Sequence, residues 1–104
     1  MKIQFNTDKT ISGNERKQEY FTDLIAEELD RFKTHITRIE VHLADENGKK
    51  EGKNTINCLL EARLAGRKPI AVSSLNDTVE QAISGAIEKL RISLESIIGR
   101  LQNH

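Results

Sequence analysis

The chain predicts an α+β domain of order β-α-β-β-β-α: a four-stranded mixed sheet with two helices packed on one face. Two pairs of observations carry this. Ile39, Val41 and Leu43 alternate with Arg38, Glu40 and His42, and Ile56, Cys58, Leu60, Ala62 and Leu64 repeat the pattern further on. Period two marks a half-buried strand. Elsewhere, Phe21, Leu24, Ile25, Leu29 and Phe32 recur at helical spacing, as do Val79, Ile83, Ala86, Leu90, Leu94, Ile97 and Leu101.

In chain order, Ile3 and Phe5 alternate with Lys2, Gln4 and Asn6 in a short first strand. The polar stretch 6–14 reads as a loop, with Ser12 or Asn14 available to cap a helix over Glu15–Lys33. The second strand covers about Ile36–Ala44 and runs into Asp45-Glu46-Asn47-Gly48, whose Asn-Gly pair suits a tight turn at positive φ. Residues 45–53 form a charged hairpin loop, and the third strand covers about Thr55–Leu64. Ala65-Gly66-Arg67-Lys68 is the next turn. Pro69 opens a short fourth strand through Ile70 and Val72, a position that tolerates its missing N–H. Asp77 or Thr78 starts the last helix, and Asp77 with Glu80 has capping-box spacing. Gly85 sits inside that helix at a cost of up to about 1 kcal/mol relative to Ala, which close packing on the sheet would explain. The first crossover makes strands one and two parallel, and the two hairpins are antiparallel. One sheet face stays wet.

At 104 residues the chain is expected to form a single domain, 1–104. It is 37% hydrophobic and 31% charged, a globular composition. No apolar run approaches the roughly 18 residues of a membrane span, and the N-terminus lacks the apolar core of a signal peptide. The lone Cys58 excludes an internal disulfide, fits a reducing cytoplasm, and falls on the core face of its strand. No glycine loop cradles phosphate, no Cys or His pair has metal-ligand spacing, and His35 and His42 differ in strand parity. Neither an enzyme nor a cofactor or metal is expected.

Sixteen basic and sixteen acidic residues leave no net charge, so the placement of charge matters more than its sum. The topology sets the start of the second strand beside the end of the third. One pole of the sheet then gathers Arg31, Lys33, His35, Arg38, Arg63, Arg67 and Lys68. Such a pole suits phosphate contacts along an RNA backbone. The scarcity of aromatics speaks against base stacking. A last helix running to the end is about 40 Å long, against about 30 Å for a nine-residue strand. Its last turns, with Ile97, Ile98 and Leu101, either pack on the first helix or overhang the sheet, where they are candidates for a dimer or partner contact.

Three stretches carry a resemblance: Thr37-Arg38-Ile39-Glu40-Val41, Leu60-Glu61-Ala62 with its Gly66 turn, and Ala82-Ile83 followed by Ile87-Glu88-Lys89-Leu90. With the element order, they resemble the ribosome hibernation promoting factor family, which includes ribosome-associated inhibitor A and light-repressed proteins. The resemblance covers essentially the whole chain and is to the short type, without the family's C-terminal dimerising domain. It implies a bacterial, cytoplasmic factor that binds rRNA of the small ribosomal subunit in the mRNA and tRNA channel. Occupancy there blocks translation during stress or stationary phase. On this reading Arg31, Lys33, Arg38, Arg63, Arg67, Lys68, Lys89 and Arg91 contact phosphates. The final helix also departs from the family's Lys-rich end, holding Lys89, Arg91 and Arg100 against Glu80, Glu88 and Glu95. The alternative is a diverged member acting as a protein-interaction or homodimerisation module.

Overall fold

Each alternating segment becomes a strand because its odd or even residues find one shared apolar layer. The computed structural model describes residues 1–7, 15–46 and 55–102. Its elements are β1 (Lys2–Thr7), α1 (Glu15–Glu28), a 3₁₀ turn (Asp30–Phe32), β2 (Ile36–Asp45), β3 (Ile56–Leu64), β4 (Ile70–Asn76) and α2 (Val79–Gln102). The sheet order is β1-β2-β3-β4. β1 runs parallel to β2, and the other two pairs are antiparallel. This is the predicted β-α-β-β-β-α architecture.

The core is the layer between sheet and helices. Ile39 and Val41 of β2, Cys58 and Leu60 of β3, Ile25 of α1, and Ile83, Leu90 and Leu94 of α2 are fully buried there. α2 lies across β4 and β3, while α1 packs against β1 and α2. The closest approach is at Gly85. A Cβ on that residue would overlap Ser74 Oγ, lie 3.1 Å from Ser74 Cβ and sit 3.3 Å from Asn76 Oδ1. Ser74 is the buried polar side chain among the described residues, and its hydroxyl donates to Asn76 Oδ1 at 2.6 Å. Glycine is needed here for space, as the sequence suggested.

Four expectations change. The helix expected over Glu15–Lys33 ends at Glu28 and tightens through Leu29 (φ −109°, ψ 14°) into the 3₁₀ turn. That turn drops Phe32 into the core, and a three-residue step from Leu29 fits a 3₁₀ turn as well as an α-helix. β4 continues to Asn76, because Ser74 fits beneath Gly85 instead of ending the strand. Thr78, not Asp77, caps α2: the Gln81 N–H donates to Thr78 Oγ1 at 3.1 Å. The capping frame is therefore Thr78-Val79-Glu80-Gln81, and such a cap contributes about 1 kcal/mol. Finally, Ile98 is 2% exposed and belongs to the core, and Ile97 packs partly buried against it. Of the two readings for these residues, the exposed overhang is absent at Ile97 and Ile98, because α2 keeps its apolar stripe turned inward there. The side chain of Leu101, the 8–14 loop with its candidate caps Ser12 and Asn14, and the Asn47-Gly48 turn lie outside the described residues.

Candidate nucleic-acid interface

The register fixes which side chains share the wet face. Ile3 and Phe5 point to the core, so Lys2, Gln4 and Asn6 point away from it. On β2 and β3 the outward residues include Arg38, Glu40 and His42, and Arg63, Glu61 and Leu59. Lys2 lies beside Arg38, and Arg38 beside Arg63. One step along the strands, Gln4 lies beside Glu40, and Glu40 beside Glu61. The face thus carries a row of three cations next to a row holding two carboxylates and an amide. Like charges directly opposite on neighbouring strands are destabilising. Ion pairs between the rows offset this: Arg38 with Glu40 at 3.1 Å, and Arg63 with Glu61 at 3.1 Å and Glu40 at 3.8 Å. Arg38 also donates to Gln4 Oε1. Its Nε is buried with no hydrogen-bond partner among the described residues.

The chain turns tie further cations to the same end of the sheet. The Ala65 N–H donates to the His35 carbonyl at 3.0 Å, and Thr37 Oγ1 donates to the Arg63 carbonyl at 3.0 Å. These bonds hold the entry to β2 against the exit from β3. Gly66, at φ +70°, then swings the β3–β4 turn outward, with Arg67 and Lys68 exposed on it. Arg31 lies within the 3₁₀ turn that leads into β2, and Lys33 follows it. Arg31 lies over the Phe32 ring, 4.8 Å from its centroid, and pairs with Glu95 of α2 at 3.1 Å. Lys33 pairs with Asp30 at 3.3 Å. Arg91 pairs with the same Glu95 at 2.8 Å and with Glu88. The Arg91 hydrogen bond holds the Glu88 carboxyl below its usual range, and Glu88 in turn raises Arg91.

Seven of the eight candidate RNA contacts, Arg31, Lys33, Arg38, Arg63, Arg67, Lys68 and Arg91, are therefore linked to one end of the domain. Lys89 stands apart: its ammonium donates to the Ser73 carbonyl at 2.7 Å, on the outer edge of β4. Five of the eight face a carboxylate. Arg67 and Lys68 have no such partner among the described residues. Sequence reasoning missed Lys2, which is exposed and continues the Arg38–Arg63 row. Its signal was parity, since Ile3 faces inward, but only the parallel register with β2 sets it beside Arg38. A last helix running back to this end would also bring Arg100 and His104 there, but His104 and the side chain of Arg100 lie outside the described residues.

Nucleophilic chemistry is not evident. Cys58 is fully buried, and burial pushes its thiol up to about 12; an uncharged thiol without access is inert. His42 stands half-buried on the wet face, and His35 lies in the turn before β2. Among the described residues no cluster of His, Cys, Asp or Glu could hold a metal ion, and no helix is long and apolar enough to cross a membrane.

The described residues form a small α+β domain: a mixed four-stranded sheet backed by two helices, with arginine and lysine collected at one end. The chain belongs to the family described as sigma 54 modulation protein / S30EA ribosomal protein, whose pattern matches residues 7–102. The resemblance seen in the sequence is to this family. The crystal structure of the Thermus thermophilus Protein Y N-terminal domain superposes with a TM-score of 0.74, covering 93% of this chain and 99% of that one. The two are 17% identical, so the likeness is one of fold. No curated protein matches the chain.

Proposed function

We propose that this protein is a bacterial, cytoplasmic translation inhibitor of the hibernation type, which binds rRNA of the small ribosomal subunit in the channel used by mRNA and tRNA. It acts by steric occupancy during stress or stationary phase and carries out no chemistry. The observation that carries this reading is the convergence of seven cationic side chains on one end of a neutral domain. Five carboxylates pair within this cluster, so its excess of positive charge rests on Arg67 and Lys68, and a local excess of one sign attracts a polyanion even on a neutral chain. Arg67 and Lys68 lead the interface, since a phosphate meets them without displacing a carboxylate. Lys2 joins them on the sheet face. Family membership supports the ribosome as the source of the RNA.

Cell-free translation of a reporter mRNA tests the reading. The expected result is inhibition that rises with added protein and saturates once it matches the ribosomes, with added tRNA relieving it. Undiminished translation at a large excess over ribosomes would contradict it. The alternative module reading, homodimerisation or partner binding through Ile97, Ile98 and Leu101, has less behind it, because Ile98 is already inside the core.

A further inference from the structure

Glu95 is the point where two separate elements share one carboxylate oxygen. Arg31 Nη1, from the 3₁₀ turn before β2, lies 3.1 Å from Glu95 Oε1, and Arg91 Nη1, one turn earlier on α2, lies 2.8 Å from the same atom. All three side chains are at least partly exposed. Exposed ion pairs of this kind contribute little to folding. Their effect on an incoming polyanion is larger. A phosphate that reaches Arg31 or Arg91 must take guanidinium donors already aimed at Glu95, and it then sits beside an uncompensated carboxylate.

We infer that Glu95 is an intramolecular competitor of RNA phosphate, holding Arg31 and Arg91 in reserve and setting the affinity of this end of the domain for RNA. The inference rests on the ribosome-binding reading above. It assigns regulation of affinity to a residue that need not touch RNA. With Glu95 in place, binding leans on Arg67 and Lys68, and fewer counterions are released than the cation count suggests. With Glu95 neutralised, Arg31 joins, Arg91 is left with its Glu88 pair alone, and both affinity and salt dependence rise.

The test is titration of purified small ribosomal subunits with the parent chain, Glu95→Gln and Glu80→Gln over a series of salt concentrations. Glu80→Gln makes the same change in net charge near the start of α2, where Glu80 pairs with none of the candidate cations among the described residues. Glu95→Gln is expected to bind roughly three- to tenfold more tightly at low salt. Its plot of log affinity against log salt is expected to steepen by about one, for the released Arg31. Adding Arg31→Gln and Arg91→Gln to Glu95→Gln should abolish the gain, and Glu80→Gln should show little of it. If the parent binds and Glu95→Gln is unchanged or weaker, the inference fails and the ribosome-binding reading stands. An equal gain from Glu80→Gln also overturns the inference, since net charge alone would then explain it. If neither the parent nor Glu95→Gln binds at any salt, the ribosome-binding reading fails and takes the inference with it. Binding by Glu95→Gln alone would support competition by Glu95 and overturn the ribosome-binding reading of the parent chain.

Discussion

Reversing both charges of the β3–β4 turn, as Arg67→Glu with Lys68→Glu, is expected to weaken binding to small ribosomal subunits on the order of 10- to 100-fold at low salt. Both residues are exposed and neither faces a carboxylate among the described residues. The change therefore removes two accessible cations and installs two anions in their place. The salt dependence should flatten at the same time, by about 0.7 to 0.9 for each phosphate that is no longer neutralised. Titration of subunits at several salt concentrations reads both quantities. The fold should be untouched, because Gly66 keeps its left-handed conformation and the Ala65 and Thr37 hydrogen bonds that anchor the turn involve backbone carbonyls at His35 and Arg63. Unchanged affinity and slope would remove this turn from the interface.

The second large effect is on stability. Gly85→Ala ought to stabilise an α-helix by up to about 1 kcal/mol on propensity alone. Here it is expected to destabilise the protein by about 1–3 kcal/mol net, because the new methyl meets Ser74 from both its hydroxyl and its Cβ. The hydroxyl cannot simply rotate away without giving up its bond to Asn76, and the Cβ cannot rotate at all. At this chain length each kcal/mol lowers the thermal midpoint by about 4–8 °C. Pairing Gly85→Ala with Ser74→Gly removes both clashing atoms, so the double variant should lose less than the sum of the two single ones. A thermal melt of the four proteins completes that cycle. A stabilised Gly85→Ala would show that α2 lies further from β4 than described.

Much of the architecture was legible because its signals are local. The alternation of Ile39, Val41 and Leu43 against Arg38, Glu40 and His42 is set by the pleat of a strand with one buried face, and the structure keeps every one of those assignments. The parallel pairing of β1 with β2 follows from the helix between them. What escaped the sequence depends on contacts between distant segments. The fourth strand, read through Ile70 and Val72, continues to Asn76 because Gly85 makes room for Ser74. The end of α1 at Glu28 has no glycine or proline to announce it, and the 3₁₀ turn that follows is chosen by where Phe32 must go. At the interface, residue type and topology sufficed to gather Arg31, Arg38, Arg63, Arg67 and Lys68 at one end. Which of them are already occupied was hidden. The Arg91–Glu95 pair follows from helical spacing, but Arg31–Glu95 joins residues 64 apart in sequence, and the Glu40–Arg63 pair exists only once the β2–β3 register is known. Those pairs divide the eight cations into two free and six engaged among the described residues.

On the proposed function, that division also accounts for RNA binding by a chain with no net charge. Self-repulsion among the arginines is relieved within the domain by Glu40, Glu61, Glu88 and Glu95. A neutral whole has no indiscriminate attraction to nucleic acid, and on the proposed function the uncompensated β3–β4 turn gives the encounter a direction.

The most direct measurement is co-sedimentation of the purified protein with small ribosomal subunits through sucrose, at low and at physiological salt. The account predicts saturable, stoichiometric pelleting at both, weaker at the higher salt. Pelleting confined to low salt, or none at either, would contradict it and turn attention from RNA to protein partners.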